Sequence, residues 1–217
     1  MATVSLNGLD TPISNIFCVG RNYVAHAKEL NNDVPTEPMV FLKPTSSLLH
    51  APQPVILPSH SQSVHYECEL VVLIKEDGRN ISESDALEYV AGYGIGLDLT
   101  ARDLQDKAKS QGHPWTQCKG FRGAACISDF VSSLIVDDPS GLTFDLKVNG
   151  QTRQSGNTDL MIFSVQKIIS HLSQYYGLTK GDIIYTGTPA GVGEVHPGDV
   201  MSLDLHGHIK AEFKVAA

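Results

Sequence analysis

The chain has 217 residues, 41% of them hydrophobic and 18% charged, which suits one folded domain, with two small ones as the alternative, and a core large enough to need no staples. Sixteen basic against 24 acidic side chains leave a formal net charge of −8, which repels phosphate backbones and excludes nucleic acid as an expected partner. No apolar run reaches the roughly 18 residues of a membrane span. Met1–Leu6 lacks the basic and apolar regions of a leader, and Cys18, Cys68, Cys118 and Cys126 form no CxxC pair, so a cytoplasmic chain with reduced thiols is expected.

In chain order, Ile16-Phe17-Cys18-Val19 reads as a strand ended by Gly20. Asn22 to Asn31 reads as a helix, with Asn22 as N-cap and Asn31-Asn32-Asp33 as its stop. Pro35, Pro38 and Pro44 make the next stretch irregular around a strand at Met39–Leu42, and Val55–Leu57 is a further short strand. His65 to Lys75 is one long strand turned by Asp77-Gly78. Ser82 to Tyr89 is a short helix, Val90 to Leu97 a glycine-rich strand, and Thr100 to Ser110 a helix with Thr100-x-x-Asp103 close to a capping box. Phe144 to Val148 and Asn149-Gly150 form the first arm and turn of a hairpin. Ser164 to Tyr176 is an amphipathic helix ended by Gly177, followed by strands at Ile183–Tyr185, Val200–Leu205 and Ala211–Val215. Many short strands and few helices predict a mixed, β-dominated fold rather than a βαβ repeat.

His65-Tyr66-Glu67-Cys68-Glu69 carries the strongest chemical signal. Side chains at i and i+2 of a strand share a face, so Glu67 and Glu69 present two carboxylates on one side. The strand runs on into Val71-Val72-Leu73-Ile74, a core-like sequence that keeps water from the pair. Two carboxylates held close in partial burial raise each other's pKa, and a divalent cation removes that cost. Asp98, ending the Gly94-Ile95-Gly96-Leu97 run, supplies a third donor. Three carboxylates with open positions suit a hard cation, Mg²⁺ first, with Mn²⁺ or Ca²⁺ as substitutes. On the residues alone, a Glu-x-Glu pair on a solvent-facing edge strand remains an equal alternative.

Arg102 and Gln105 fall at i+4 and i+7 from Asp98 and share its face of the helix. Arg102 can orient a carboxylate and Gln105 can hydrogen-bond a ligand, although a solvated helix with Asp103, Asp106, Lys107 and Lys109 fits as well. His26 and Glu29, at i and i+3, are either an ordinary helix-surface contact or a carboxylate-backed imidazole of the kind that activates water. Lys119, in a loop-like segment after Trp115, is either solvated or placed to stabilise a developing enolate. The run Thr186-Gly187-Thr188-Pro189-Ala190-Gly191-Val192-Gly193 lacks the Lys-Ser/Thr of a P-loop. Its N–H groups and the Thr188 hydroxyl can hold a carboxylate, and a structural turn needs the same glycines.

Taken together and in order, the motifs resemble the fumarylacetoacetate hydrolase family. They are Gly20-Arg21-Asn22-Tyr23-x-x-His26, Phe41-Leu42-Lys43-Pro44, Tyr66-Glu67-Cys68-Glu69-Leu70, Asp98-Leu99-Thr100-Ala101-Arg102-Asp103, Lys119-Gly120-Phe121, Val148-Asn149-Gly150, Gln154-x-Gly156-Asn157-Thr158, and Gly181-Asp182 through Gly193. The short length and the Gly-Arg-Asn-Tyr opening look like its single-domain branch, which includes acylpyruvate hydrolases and oxaloacetate decarboxylases. The resemblance implies one catalytic domain over residues 1–217 with an α+β, β-rich fold, a mixed β-sandwich or β-roll with a few short helices, assembled as a homodimer. It implies Mg²⁺ or Mn²⁺ on Glu67, Glu69 and Asp98, and a mobile lid within residues 1–60 carrying His26 and Glu29. It also implies a pocket lined by Arg21, Lys43, Arg102, Gln105, Lys119 and Thr188. The chain departs from the pattern at Arg122–Ile127, where many members carry a proline-containing segment, and this bears on one pocket wall.

The expected substrate is a small anionic 2-oxo acid that chelates the metal and passes through an enolate at C3. Acylpyruvate hydrolysis then uses His26 and Glu29 to activate water, whereas oxaloacetate decarboxylation needs no water. The alternative is keto–enol tautomerisation or isomerisation of oxaloacetate or 2-hydroxymuconate-type dioic acids. Outside these, a non-catalytic 2-oxo-acid-binding protein needs no base, and glycosidase carboxylates flank a bond rather than share one face.

Overall fold

The computed structural model of the chain describes residues 2–29, 33–136 and 138–217. Strands β1 (Thr3–Leu6) and β2 (Leu9–Pro12) form a hairpin, followed by β3 (Ile16–Gly20), helix α1 (Val24–Glu29), β4 (Met39–Lys43) and β5 (Leu48–His50). Next come β6 (Val64–Tyr66), β7 (Cys68–Ile74), β8 (Val90–Asp98), β9 (Thr100–Ala101), α2 (Arg102–Gln111), α3 (Thr116–Lys119), β10 (Ala125–Ile127) and β11 (Val131–Ser132). The C-terminal part holds β12 (Thr143–Val148), β13 (Gln151–Asn157), α4 (Val165–Tyr175), β14 (Ile183–Tyr185), β15 (Gly193–Glu194), β16 (Val200–Leu205) and β17 (Ile209–Lys214). Among the described residues no helix is long and apolar enough to cross a membrane.

The main sheet has the order β4-β3-β14-β7-β8-β10-β5, with β11 also on β8, and only β14–β3 and β10–β5 are parallel in it. A second sheet, β13-β12-β16-β17, is wholly antiparallel. Both faces of the main sheet are covered, which explains why β7 reads as a continuous apolar run. Leu70, Val72 and Ile74 of β7 pack with Phe144, Leu146, Met201 and Leu203 of the second sheet and with Ile168, Ile169 and Leu172 of α4. Val71 and Leu73 face the other way, toward Val4, Ile13, Phe130 and Tyr185. On that second face β8 offers Gly92, Gly94 and Gly96, and space is the reason. A Cβ on Gly96 would lie 2.4 Å from the Cys126 carbonyl oxygen and 2.8 Å from the Tyr185 ring. Asp98 is the next residue on the same face.

Several expectations are corrected. Helix α1 starts at Val24, and Asn22 is no N-cap: its buried side chain donates to the Phe163 and Thr186 carbonyls and accepts from Phe163 N–H. The expected stop at Asn31-Asn32 lies outside the described residues. The capping box does not form, because Thr100 belongs to β9 and Asp103 accepts from Ser61 and Gln62 instead. Val55–Leu57 supplies only a bridge from Val55 to Val215, and Ser82–Tyr89 shrinks to a 3₁₀ turn at Ala86–Tyr89. The long strand His65–Lys75 is two strands belonging to different sheets, broken at Glu67.

Candidate active site and metal centre

The break at Glu67 shapes the site. Strand β6 pairs with β9 and β15, whereas β7 pairs with β8 and β14, so the chain changes sheet at this residue. A buried Gln154 side chain pins the corner: it accepts from Cys68 N–H at 2.9 Å and donates to the Thr188 hydroxyl and the Pro189 carbonyl. Glu67 and Glu69 therefore do not converge through one continuous pleat. The register Cys68↔Leu97 brings Glu67 opposite Asp98, whose N–H donates to the Glu67 carbonyl at 2.8 Å. The donor atoms of Glu67, Glu69 and Asp98 lie within 4.8 Å of one another, and all three residues are at least 95% buried.

Cations surround this cluster unevenly. Lys119 Nζ, from the end of α3, lies 2.7 Å from both Glu67 Oε2 and Asp98 Oδ2. Arg102, opening α2, pairs with Glu67 Oε1 and also donates to Gln105. Lys43, at the end of β4, sits 2.6 Å from Asp98 Oδ1 and donates to the carbonyls of Leu99, Lys119 and Ala124. Glu69 has no cation among the described residues, only the Gly187 N–H at 2.7 Å. The titration behaviour follows. Burial acts to raise Glu67, but the Lys119 and Arg102 charges outweigh it and hold that carboxyl well below the usual range. Burial, then the Asp98 and Glu67 charges, push Glu69 well above it. Burial opposes the charge on Lys119, yet Asp98 and Glu67 keep its ammonium firmly protonated. A three-oxygen donor set that includes one buried carboxylate without a cation fits a hard divalent ion.

Helix α1 covers the cluster. His26 is buried, and its Nδ1 lies 3.3 Å from Glu29 Oε2, while Glu29 Oε1 accepts from Gly191 N–H at 3.0 Å. Glu29 thus ties the helix to the glycine-rich turn after β14. In that turn Gly187 has φ +102°, and a Cβ there would lie 2.6 Å from the Asn22 Cβ, so glycine is required twice over. Burial lowers the His26 pKa despite the opposing Glu67 and Glu29 charges, leaving a neutral imidazole at pH 7. The part-open cavity between α1 and the carboxylates measures about 30 Å³, room for about one water.

Residues 15–216 match the family described as fumarylacetoacetate (FAA) hydrolase C-terminal. The chain belongs to the fumarylacetoacetate hydrolase family. It is 45% identical to the mitochondrial oxaloacetate tautomerase FAHD1 of Bos taurus over 201 residues, covering 93% of this chain and 91% of that one. The Arabidopsis thaliana protein of the same name is 45% identical over 215 residues, covering 99% and 96%. The fumarylpyruvate hydrolase of Pseudomonas aeruginosa, solved with Mn²⁺ and pyruvate, superposes with a TM-score of 0.95 at 36% identity, covering 100% of this chain and 97% of that one. The fold is accordingly that of this enzyme family, and the β-rich expectation holds.

Of the residues that the family resemblance implied, the structure lines one cavity with Arg21, His26, Glu67, Glu69, Asp98, Arg102, Gln105, Lys119 and Thr188. Lys43 lies behind Asp98 and off the cavity wall, its ammonium taken up by one carboxylate and three carbonyls. The Thr188 hydroxyl already donates to the Cys68 carbonyl and accepts from Gln154. Glu29 stands behind His26. In Ala125–Ile127, the departing segment is strand β10, paired to β8 beside Asp98. Met39, Phe41, Lys109 and Trp115 also line the cavity and were not singled out in the sequence. Lys109 had a usable signal, since it follows Gln105 by four residues on the same helix face. Asn22 and Gln154 lacked one, because their roles depend on segments far away in sequence.

Proposed function

We propose that this chain is a divalent-cation-dependent enzyme with one catalytic domain that moves a proton at C3 of a small 2-oxo acid, oxaloacetate tautomerisation being its leading reaction. The observation that carries this is a buried, uncharged His26 in the same cavity as the Glu67–Glu69–Asp98 cluster. Oxaloacetate tautomerases at 45% identity support ranking tautomerisation ahead of decarboxylation and hydrolysis, the reverse of the order expected from the sequence, where tautomerisation was the alternative. Glu67, Glu69 and Asp98 would hold the ion, Mg²⁺ first, which when bound supplies Lewis acidity to the substrate's 2-oxo and carboxylate oxygens. His26 accepts the C3 proton and delivers it to the 2-oxo oxygen as the C2–C3 double bond forms, and the reverse transfer returns enol to keto. With Nδ1 turned to Glu29, Nε2 is the atom left for this work. Lys119 holds positive charge beside the negative charge that develops on the 2-oxo oxygen, while keeping Glu67 and Asp98 in place. Arg102 orients Glu67 and presents Gln105 to the ligand.

A second reaction, acylpyruvate C–C hydrolysis, is favoured by the carboxylate behind His26, which suits water activation. It is also supported by the fumarylpyruvate hydrolase relative. Because the cavity is too small for a four-carbon acid, we assign α1 as a lid that swings away at the Glu29–Gly191 contact to admit substrate. The proposal keeps a homodimer, supported by the exposed Leu134 and Ile135, and a reducing compartment, with which four free, buried cysteines agree. The test is an assay panel on chelator-treated protein, with Mg²⁺, Mn²⁺ or Ca²⁺ added back. It follows oxaloacetate enol–keto exchange, oxaloacetate decarboxylation and acetylpyruvate hydrolysis. Metal-restored exchange that outpaces the other two is expected, and no metal-dependent turnover of any substrate contradicts the proposal.

A further inference from the structure

The cations nearest the carboxylate cluster are already taken: Lys43 and Lys119 pair with Asp98, and Lys119 and Arg102 with Glu67. Two more cations line the same cavity. Arg21, entering α1 with φ +59°, makes no ion pair or side-chain hydrogen bond among the described residues. Lys109, half-buried on the face of α2 that carries Arg102 and Gln105, rests over the Trp115 ring at 5.7 Å and likewise reaches no carboxylate within ion-pair distance. Asp106, one turn earlier on α2, is exposed and does not pair with it. Burial, then the Arg102 charge, hold Lys109 below an ordinary ammonium, with Arg21 adding to the same effect. In a chain of net charge −8, two cations left unpaired in one cavity form a local surplus that an anion would relieve.

We propose that Lys109 and Arg21 form a subsite for the distal carboxylate of a 2-oxo dicarboxylate. The subsite rests on the 2-oxo acid proposal above and deepens it: Glu67, Glu69 and Asp98 would hold the ion that takes the 2-oxo end, and Lys109 with Arg21 selects a dianion over a monoanion. Lys109 is a specificity-determining residue in this scheme, with no part in proton transfer. The Trp115 ring beneath the Lys109 ammonium keeps that charge at the cavity.

The test uses Mn²⁺-loaded protein and two acids that share the 2-oxo end, oxaloacetate and 2-oxobutanoate, in which a methyl replaces the distal carboxylate. Binding is read from the change in water-proton relaxation by the bound Mn²⁺, in stopped flow before turnover. Lys109→Met is expected to weaken oxaloacetate by about tenfold and 2-oxobutanoate by less than about twofold, the size of one charge-assisted contact. Lys109→Arg keeps the charge and is expected to keep the preference. Equal losses on both acids, or no loss on oxaloacetate, overturn the subsite while the 2-oxo acid proposal stands. If the wild-type protein binds neither acid, that proposal falls and the subsite with it.

Discussion

Replacing either glutamate by glutamine should move stability in opposite directions, because the two carboxylates differ in their company. Glu67 holds two buried cations, Lys119 and Arg102, so Glu67→Gln leaves both short of charge. Breaking a buried pair in this way costs about 3–5 kcal/mol. Glu69 has no cation among the described residues and one backbone N–H, and its carboxyl is pushed up by burial, then by Asp98 and Glu67. Glu69→Gln removes that uncompensated charge and should stabilise the ion-free chain by ~1–3 kcal/mol. For a chain of this size each kcal/mol moves Tm by about 2–4 °C, so in EDTA Glu69→Gln should melt about 2–12 °C above wild type and Glu67→Gln about 6–20 °C below it. The pH dependence has a definite sign. A carboxyl whose folded pKa is raised contributes stability that is present below its unfolded value, ~4.5, and lost as pH rises through the folded one. The advantage of Glu69→Gln should therefore widen from pH 5 to pH 8. With saturating Mg²⁺ the order should reverse, since wild type gains from binding and the variant does not. Differential scanning fluorimetry at three pH values, with EDTA or Mg²⁺, reads all of this. A Glu69→Gln chain no more stable than wild type in EDTA would refute the uneven charge distribution on which the site description depends.

His26→Ala should lower turnover by about 10²–10⁴-fold while leaving Mn²⁺ affinity within about threefold, which steady-state kinetics and titration check separately. The wild-type acid limb of kcat/KM should fall below the ~6.5 of an ordinary imidazole, since burial lowers His26; a limb above 7 contradicts this. Lys43→Met should cost ~3–5 kcal/mol in urea unfolding, because Asp98 and three carbonyls lose their partner, and a loss confined to KM would make Lys43 a substrate contact instead. Gly187→Ala should cost ~1–3 kcal/mol and weaken the ion site, through its positive φ and the clash with Asn22 beside the N–H that serves Glu69.

The parts of the site legible in the sequence were those written in local periodicity. The apolar run of β7, the glycines of β8 and the placement of Asp98 at its end follow from a doubly covered sheet. The hairpin at Asn149-Gly150 follows from two residues at φ 51° and 77°, and the cap of α4 from Ser164, which accepts from Lys167 N–H. The β1–β2 hairpin turns on the same signal, Asn7-Gly8 at φ 51° and 80°, and is not among the predicted elements. Contacts between distant segments were not legible. Lys43 finds its carbonyls 56 and 81 residues away at Leu99 and Ala124, so its alternation in β4 says nothing about saturation behind Asp98. The Asp103 capping box failed for a similar reason, since Ser61 and Gln62 reach the carboxylate first. The break at Glu67 depends on β9 and β15 drawing β6 into another sheet, which no pattern within His65–Lys75 records.

The central claim is that Glu67, Glu69 and Asp98 hold one divalent ion. Equilibrium titration of chelator-stripped protein with Mn²⁺, followed by electron paramagnetic resonance, tests it most directly. One ion per chain in wild type, lost in both Asp98→Asn and Glu69→Gln while their folded circular dichroism spectra persist, is the predicted result. Binding of no ion, or undiminished binding by those two variants, would contradict it.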